Sequence, residues 1–111
     1  MAKKSSNLDV FSPSEYTGMI NLFLHKNKDK VLNKSVCEIG TGNGIIAAYA
    51  AMIGAASITV SDVEEEALSV AKKCIGSIKG ATEKTVFLHG GLWEPFDNQS
   101  FDLILANLPH F

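Results

Sequence analysis

Residues able to do chemistry concentrate at positions 38–44, Glu38-Ile39-Gly40-Thr41-Gly42-Asn43-Gly44. A carboxylate stands two residues ahead of the first of three glycines at alternate positions. Glycines accept positive φ and let a ligand approach the backbone closely. An apolar run, Val36-Cys37-Glu38-Ile39, leads in, and an alanine-rich run from Ile45 to Met52 leads out. The stretch therefore reads as strand, turn, helix. Such a turn also presents the N–H groups of a helix N-terminus. The spacing is G-x-G-x-G, not the G-x-G-x-x-G of dinucleotide sites. An acid at the strand end suits a ligand carrying an ammonium group better than one carrying a pyrophosphate. The alternative is a glycine-rich turn that binds nothing, since short glycine patterns recur without function.

Other residues must position that turn. Ser12-Pro13-Ser14-Glu15 has the form of a helix start, with Ser12 as cap, Pro13 in the first turn and Glu15 completing a capping box. Tyr16, Met19, Ile20 and Phe23 then form one apolar stripe. Residues 1–10 read as a flexible N-terminus, and Lys26 to Lys34 as a lysine-rich loop. Strands are expected near 36–39, 57–61, 85–88 and 101–106. The helix after the glycine turn ends at Gly54. Asp62 follows the second strand, and Val63-Glu64-Glu65-Glu66 opens the next helix, with a core stripe of Leu68, Ala71, Ile75 and Ile78.

Nearly continuous apolar strands alternating with helices predict an α/β fold, a parallel sheet with helices on both faces. Right-handed crossovers give the strand order 3-2-1-4. The reversal beside strand one is a switch point, where ligands bind at strand carboxyl ends. The glycine turn, Asp62, the Gly90-Gly91-Leu92-Trp93 turn and Asn107 all fall at that rim.

The totals set limits. The chain has 111 residues, 46% hydrophobic and 20% charged, which fits one small folded domain. A net charge of −2 gives no global electrostatic case for nucleic acid. Cys37 and Cys74 read as small apolar residues, not as a disulfide or metal pair. No apolar run reaches the length of a membrane span and no signal peptide is evident, so a cytoplasmic protein without a membrane partner is expected.

Taken together, E-I-G-T-G-N-G, S-D-V with its helix, and F-D-L-I-L-A-N-L-P-H resemble the class I S-adenosylmethionine-dependent methyltransferases. The resemblance is greatest to the branch that methylates amide or amino nitrogens, including release-factor glutamine methyltransferases. It implies a Rossmann-like domain with S-adenosylmethionine as cofactor. Gly40, Thr41, Gly42 and Gly44 would line its methionine portion and Glu38 would receive its ammonium. Asp62 would accept the ribose hydroxyls, and Val63, Leu92 and Trp93 would meet the adenine. Each has an alternative: a lysine partner for Glu38, a helix cap with Glu65 for Asp62, and plain core for Trp93. Many relatives carry an acid where this chain has Gly91. Asn107-Leu108-Pro109-His110 lies where nitrogen methyltransferases carry N-P-P-Y. There the Asn107 side chain and the Leu108 backbone would supply two carbonyls that hold the attacking nitrogen in line. Pro109 would stiffen the turn, and His110 or Phe111 would take the place of the aromatic ring. A turn residue before proline is the alternative for Asn107. Phe11-Ser12-Pro13 matches a segment that caps the site in this branch, or is an ordinary helix start.

The resembling domains continue beyond a fourth strand. The expectation is therefore that residues 11–111 are the S-adenosylmethionine-binding portion of a methyltransferase domain truncated after strand four, with a compact variant as the alternative. The methyl acceptor implied is a protein, a nucleic acid or a small molecule. A catalytically inactive binding or interaction module is the competing reading, and a nicotinamide enzyme is disfavoured by the glycine spacing. Truncation would leave strand four as an apolar edge, which predicts self-association.

Overall fold

The computed structural model describes residues 13–90 and 100–106, and of residues 13–17 the helical backbone alone. Helix α1 (Pro13–Lys26) leads through a short 3-10 turn at Lys28–Lys30 into strand β1 (Ser35–Ile39). Then follow α2 (Ile45–Ile53), β2 (Ser57–Asp62), α3 (Glu65–Gly76), a second 3-10 turn at Thr82–Lys84, β3 (Thr85–His89) and β4 (Leu103–Ala106). The four strands are parallel in the order β3-β2-β1-β4. The chain moves outward from β1 to β3 and then returns to the other side of β1, as the apolar strands and short crossovers predict. The Rossmann-like strand order holds, but among the described residues all three helices join one core and no helix residue joins the Cys37 and Ile39 cluster on the opposite face, so helices on both faces are not seen there.

Val36, Ile58, Val60 and Leu105 of the strands join Leu24, Ile46, Ala47, Ala50, Leu68 and Ile75 of the three helices in one core. The alanines of α2 have no bulk, so the helix axis can lie close to the sheet. Strand side chains alternate between faces, and Cys37 and Ile39 cluster instead with Leu88 and Phe101. Both cysteines are free, and burial pushes the Cys37 thiol up to about 12, so it behaves as a small apolar residue.

Two boundaries and one helix face differ from the sequence reading by more than a residue. β4 begins at Leu103, not Phe101, because Asp102 is used as a pin. Its carboxylate accepts from the Ser35 N–H at 2.9 Å and the Ser35 hydroxyl at 3.2 Å, while its own N–H donates to the Ser35 carbonyl at 2.9 Å. These bonds, with Lys34 nearby, hold the Asp102 carboxyl below its ordinary range. They start the β1–β4 ladder at Val36 opposite Leu103. α3 begins at Glu65, not Val63, because Asp62 Oδ1 accepts the Glu64 N–H at 2.9 Å and turns the chain first. The capping box between Asp62 and Glu65 does not form; Glu64 is the cap position and makes no side-chain cap bond. Glu65 and Glu66 still sit in the first turn, where the helix dipole favours acids.

The third difference is the register of α1. The helix starts at Pro13 as expected, but among its described side chains the buried one is Leu24, 0% exposed, with Ile20 packed beside it, and the Tyr16 side chain lies outside the described residues. Met19, 48% exposed, and Phe23 lie toward solvent. Leu24→Ala should therefore cost about 2–5 kcal/mol, the usual range for emptying a buried leucine site. Met19→Ala should stay within about 0.5 kcal/mol. Urea midpoints of the two variants test this, and a larger loss at Met19 would restore the stripe read from sequence.

Candidate functional site

The glycine turn, the turn after β2 and the ends of β3 and β4 lie at the carboxyl end of the sheet. The glycine turn joins β1 to α2. Gly42 and Gly44 have φ of +59° and +80°, a region that side chains rarely adopt. At Gly44 the need is also steric. A Cβ there would lie 2.7 Å from Ala71 Cα, inside the backbone of α3. The first turn of α2 thus rests directly on α3.

The amides of this turn are largely committed inside the protein. Gly40 and Thr41 N–H both donate to the Ser61 carbonyl at 2.9 Å, and Gly44 N–H donates to the Thr41 carbonyl at 3.1 Å. Gly42 N–H donates to Asp62 Oδ2 at 3.0 Å, and Ile45 N–H donates to Asn43 Oδ1 at 3.1 Å. The expectation of a turn offering N–H groups to a ligand is therefore narrowed: β2 and the turn itself hold those of Gly40, Thr41, Gly42, Gly44 and Ile45. An anion cradle in the phosphate-loop sense needs several free donors. This turn keeps few and has acids beside it.

Those acids are Glu38 and Asp62. Glu38, 1% exposed, is among the largest fully buried side chains. Its Oε1 accepts from the Thr41 hydroxyl at 3.0 Å, while its Oε2 has no hydrogen-bond partner. Burial pushes its carboxyl up to about 8; the Thr41 bond opposes this, the charge of Asp62 adds to it, and the Ala47 N–H opposes it. A lysine partner for Glu38 is not formed among the described residues. Asp62 gives one oxygen to Gly42 and the other to Glu64. A carboxylate has about four acceptor positions, so Asp62 keeps capacity for further donors such as hydroxyls.

The second loop follows Asp62. Val63 is 58% exposed, so an apolar ring could lie on it. Its carbonyl is 2.8 Å from His89 Nε2. A carbonyl only accepts, so that nitrogen carries the hydrogen. Gly90 N–H donates to the Asp62 carbonyl at 3.1 Å, which ties the end of β3 to the same rim. β4 ends at the same rim, where Ala106 pairs with Ile39, next to Gly40.

The structure thus brings together Glu38, Gly40, Thr41, Gly42, Gly44, Asp62 and Val63. Gly91, Leu92, Trp93, Asn107, Leu108, Pro109 and His110 lie outside the described residues, as do Phe11, Ser12 and Phe111. The roles of Ser61, whose carbonyl holds two turn amides, and of His89 were missed in the sequence, which marks neither. The hydroxyl of Thr41 had a signal, three residues after a buried acid, but only the fold gives it a partner. Among the described residues no cluster of His, Cys, Asp or Glu could hold a metal, and no helix is long and apolar enough to cross a membrane. Chemically, the site offers a buried acid for a cation, a second acid for hydroxyl donors and an exposed valine for a ring.

Comparison with known proteins gives concordant matches. The family model described as ribosomal protein L11 methyltransferase (PrmA) matches residues 17–108. A ribosomal protein L11 methyltransferase of Fusobacterium nucleatum subsp. nucleatum is 33% identical over 76 residues, covering 68% of this chain and 24% of its own length. Its namesake from Carboxydothermus hydrogenoformans is 37% identical over 75 residues, with the same coverage. The chain therefore spans about a quarter of the length of these relatives. Among solved structures, the ribosomal protein L11 methylase of Lactobacillus delbrueckii subsp. bulgaricus superposes with a TM-score of 0.72 at 26% identity, covering 88% of this chain and 48% of that one. The class-level resemblance holds. The family matched is that of the L11 enzymes, not specifically the release-factor glutamine branch.

Proposed function

The chain belongs to the ribosomal protein L11 methyltransferase (PrmA) family of class I S-adenosylmethionine-dependent methyltransferases, and from that premise we propose that residues 11–111 are the cofactor-binding portion of an enzyme that methylates a nitrogen of a ribosomal protein. The observation that carries the reading is Glu38, a buried acid with one oxygen unpartnered among the described residues, beside a glycine turn most of whose N–H groups are held internally. That is a site for an ammonium group rather than a phosphate.

When bound, S-adenosylmethionine supplies an electrophilic methyl group on a sulfonium. This chain's residues bind and orient it. Glu38 receives the ammonium, with Gly40, Thr41, Gly42 and Gly44 shaping the wall around the methionine portion. Asp62 accepts ribose hydroxyls with the positions that Gly42 and Glu64 leave open. Val63, Leu92 and Trp93 take the adenine. Asn107 and Leu108 follow β4 at the same rim and offer a side-chain and a backbone carbonyl to the N–H groups of the acceptor. Those two bonds orient the nitrogen lone pair and strengthen as the nitrogen becomes tetrahedral. Pro109 stiffens the turn, and His110 flanks the acceptor. The relatives' names support a protein acceptor of the L11 kind.

Isothermal titration with S-adenosylhomocysteine is the first test, with micromolar binding expected, equivalent to about −8 kcal/mol. The second is transfer of labelled methyl to ribosomal protein L11. Asn107→Ala should abolish transfer and leave cofactor affinity within about twofold, because it removes a contact made to the acceptor alone. Failure of a folded chain to bind the cofactor product overturns the reading. Binding without transfer by a complete domain carrying these residues marks a binding module.

A further inference from the structure

We propose that Thr41 is the positioning residue of a proton-coupled cation site: it holds the Glu38 carboxyl in both its protonated and its ionised form, and the proton leaves as a ligand's ammonium group arrives. This rests on the reading of the turn as an S-adenosylmethionine site and adds a regulation to it.

Glu38 lies on a central strand with Val60 and Leu105 as its paired neighbours, both apolar and buried. The titratable group that acts on it is Asp62 at the end of β2, and Glu38 in turn raises Cys37 beside it on β1. α2 carries no acidic or basic side chain in its first or last turn and contributes the Ala47 N–H. Nothing cationic among these groups balances a charge on Glu38, and the charge that acts on it, Asp62, has the same sign. An ionised carboxylate in such surroundings is costly unless paired. Burial accordingly favours the neutral acid near neutral pH.

The pattern of partners fits that state. Among the described residues Oε2 has no full hydrogen bond, only the weaker approach of the Ala47 N–H to the carboxyl, which a neutral acid's carbonyl oxygen tolerates far better than a carboxylate oxygen does. Oε1 has one partner, the Thr41 hydroxyl at 3.0 Å, and a hydroxyl can donate or accept. With the acid neutral, Oε1–H donates to Thr41 Oγ1. With it ionised, the Thr41 O–H rotates and donates to Oε1, and no heavy atom has to move. Thr41 is itself fixed, since its N–H donates to the Ser61 carbonyl and its carbonyl accepts from Gly44. The balance is simple. The Oε1–H bond breaks, its electron pair stays on the carboxylate, the proton passes to the buffer, and the ligand's ammonium keeps its own hydrogens and supplies the missing positive charge.

Three measurable consequences distinguish this from an acid that is always ionised. Binding of S-adenosylhomocysteine releases close to one proton between about pH 6 and pH 7, where the ligand's amine stays protonated. Affinity weakens by about tenfold for each unit the pH falls in that window. Thr41→Val, which removes the bond that favours ionisation, moves the carbon-13 titration of the Glu38 carboxyl in the free chain upward, and Thr41→Ser returns it. A purely structural role for Thr41 would change affinity and leave that titration where it is.

The test is isothermal titration of the full chain with S-adenosylhomocysteine in phosphate and in imidazole, whose ionisation enthalpies differ, across that pH window. It is paired with a carbon-13 NMR titration of the Glu38 carboxyl in the free chain, assigned by its loss in Glu38→Gln. Proton release in the wild type, none in Glu38→Gln, and a carboxyl that titrates well above the ordinary glutamate range are expected. Binding that is pH-independent and releases no proton, or a Glu38 carboxyl titrating near about 4.3, overturns the proposal. If no binding occurs at any pH, it is the methyltransferase reading that fails, and the carboxyl titration still decides whether the free site holds its proton.

Discussion

Gly44→Ala is expected to destabilise the chain by about 2–5 kcal/mol, while Gly42→Ala, two residues away in the same turn, costs only about 1–2 kcal/mol. Both glycines have positive φ, so both substitutions incur the left-handed strain, about 1–2 kcal/mol for an L residue. They differ in what the new methyl meets. At Gly42 nothing lies within 4 Å. At Gly44 the methyl would stand 2.7 Å from Ala71 Cα, 2.9 Å from Ala71 Cβ and 3.2 Å from the Ala71 carbonyl oxygen. Those are backbone and near-backbone atoms, so no flexible side chain can yield. Relief requires α2 and α3 to part, and both carry core residues, Ile46 and Ala47 on one and Leu68 and Ile75 on the other. Overpacking of this kind typically adds about 1–3 kcal/mol, against a total stability of about 5–15 kcal/mol. Urea unfolding of the two variants checks it. Equal losses would mean that the contact of the glycine turn with α3 is not what demands glycine at 44.

That contrast also marks what the sequence could and could not disclose. The strand order was legible because four apolar runs separated by helical runs leave few right-handed arrangements. Gly54 as the end of α2 and Asp62 at the end of β2 were legible for a similar reason: each sits at a change of hydrophobic period. The face of α1 was not. Met19, Ile20, Leu22, Phe23 and Leu24 form a band wide enough that periodicity allows more than one centre, and contact with α2 and the sheet chose Leu24. The closure of the glycine turn was also hidden. Its acceptors, the Ser61 carbonyl and the Asp62 carboxylate, come from β2, about twenty residues along the chain, and only strand pairing brings Ile39 beside Ser61. Local sequence reports that a turn can bind an anion; long-range pairing decides whether its donors remain. Glu38 was legible as an acid at a strand end, yet its burial, and hence its altered acidity, depends on β4 and β2 flanking β1. The acceptor-side residues Asn107, Leu108, Pro109 and His110 rest on motif position alone.

Raising the pH from about 5.5 to about 8.5 is expected to destabilise the ligand-free chain by roughly 3–4 kcal/mol, and Glu38→Gln to remove most of that slope. In the folded chain burial pushes the Glu38 carboxyl up to about 8, from 4.5 for the unperturbed group. Between those values the folded state keeps a proton that the unfolded state has lost. Stability from this group is thus fully present below about pH 4.5 and disappears as the pH rises through about 8, at about 1.4 kcal/mol for each unit. Asp102 has the opposite sign: its bonds to Ser35 hold its carboxyl low, so its contribution is lost on acidification instead. It is solvent-exposed, where screening leaves little effect. Cys37 shares the sign of Glu38, but its thiol moves from 9.0 to about 12, above the window. The slope between pH 5.5 and 8.5 is therefore dominated by Glu38. Glutamine has the same shape and no charge, and its carbonyl can still accept from Thr41, so the variant should unfold at nearly the same urea concentration across about three pH units. Saturating S-adenosylhomocysteine should flatten the wild-type profile as well, because the ammonium supplies the charge that the buried acid lacks. A wild-type profile as flat as that of Glu38→Gln would show that water reaches the free oxygen of Glu38 in solution and that the acid is ionised before any ligand arrives.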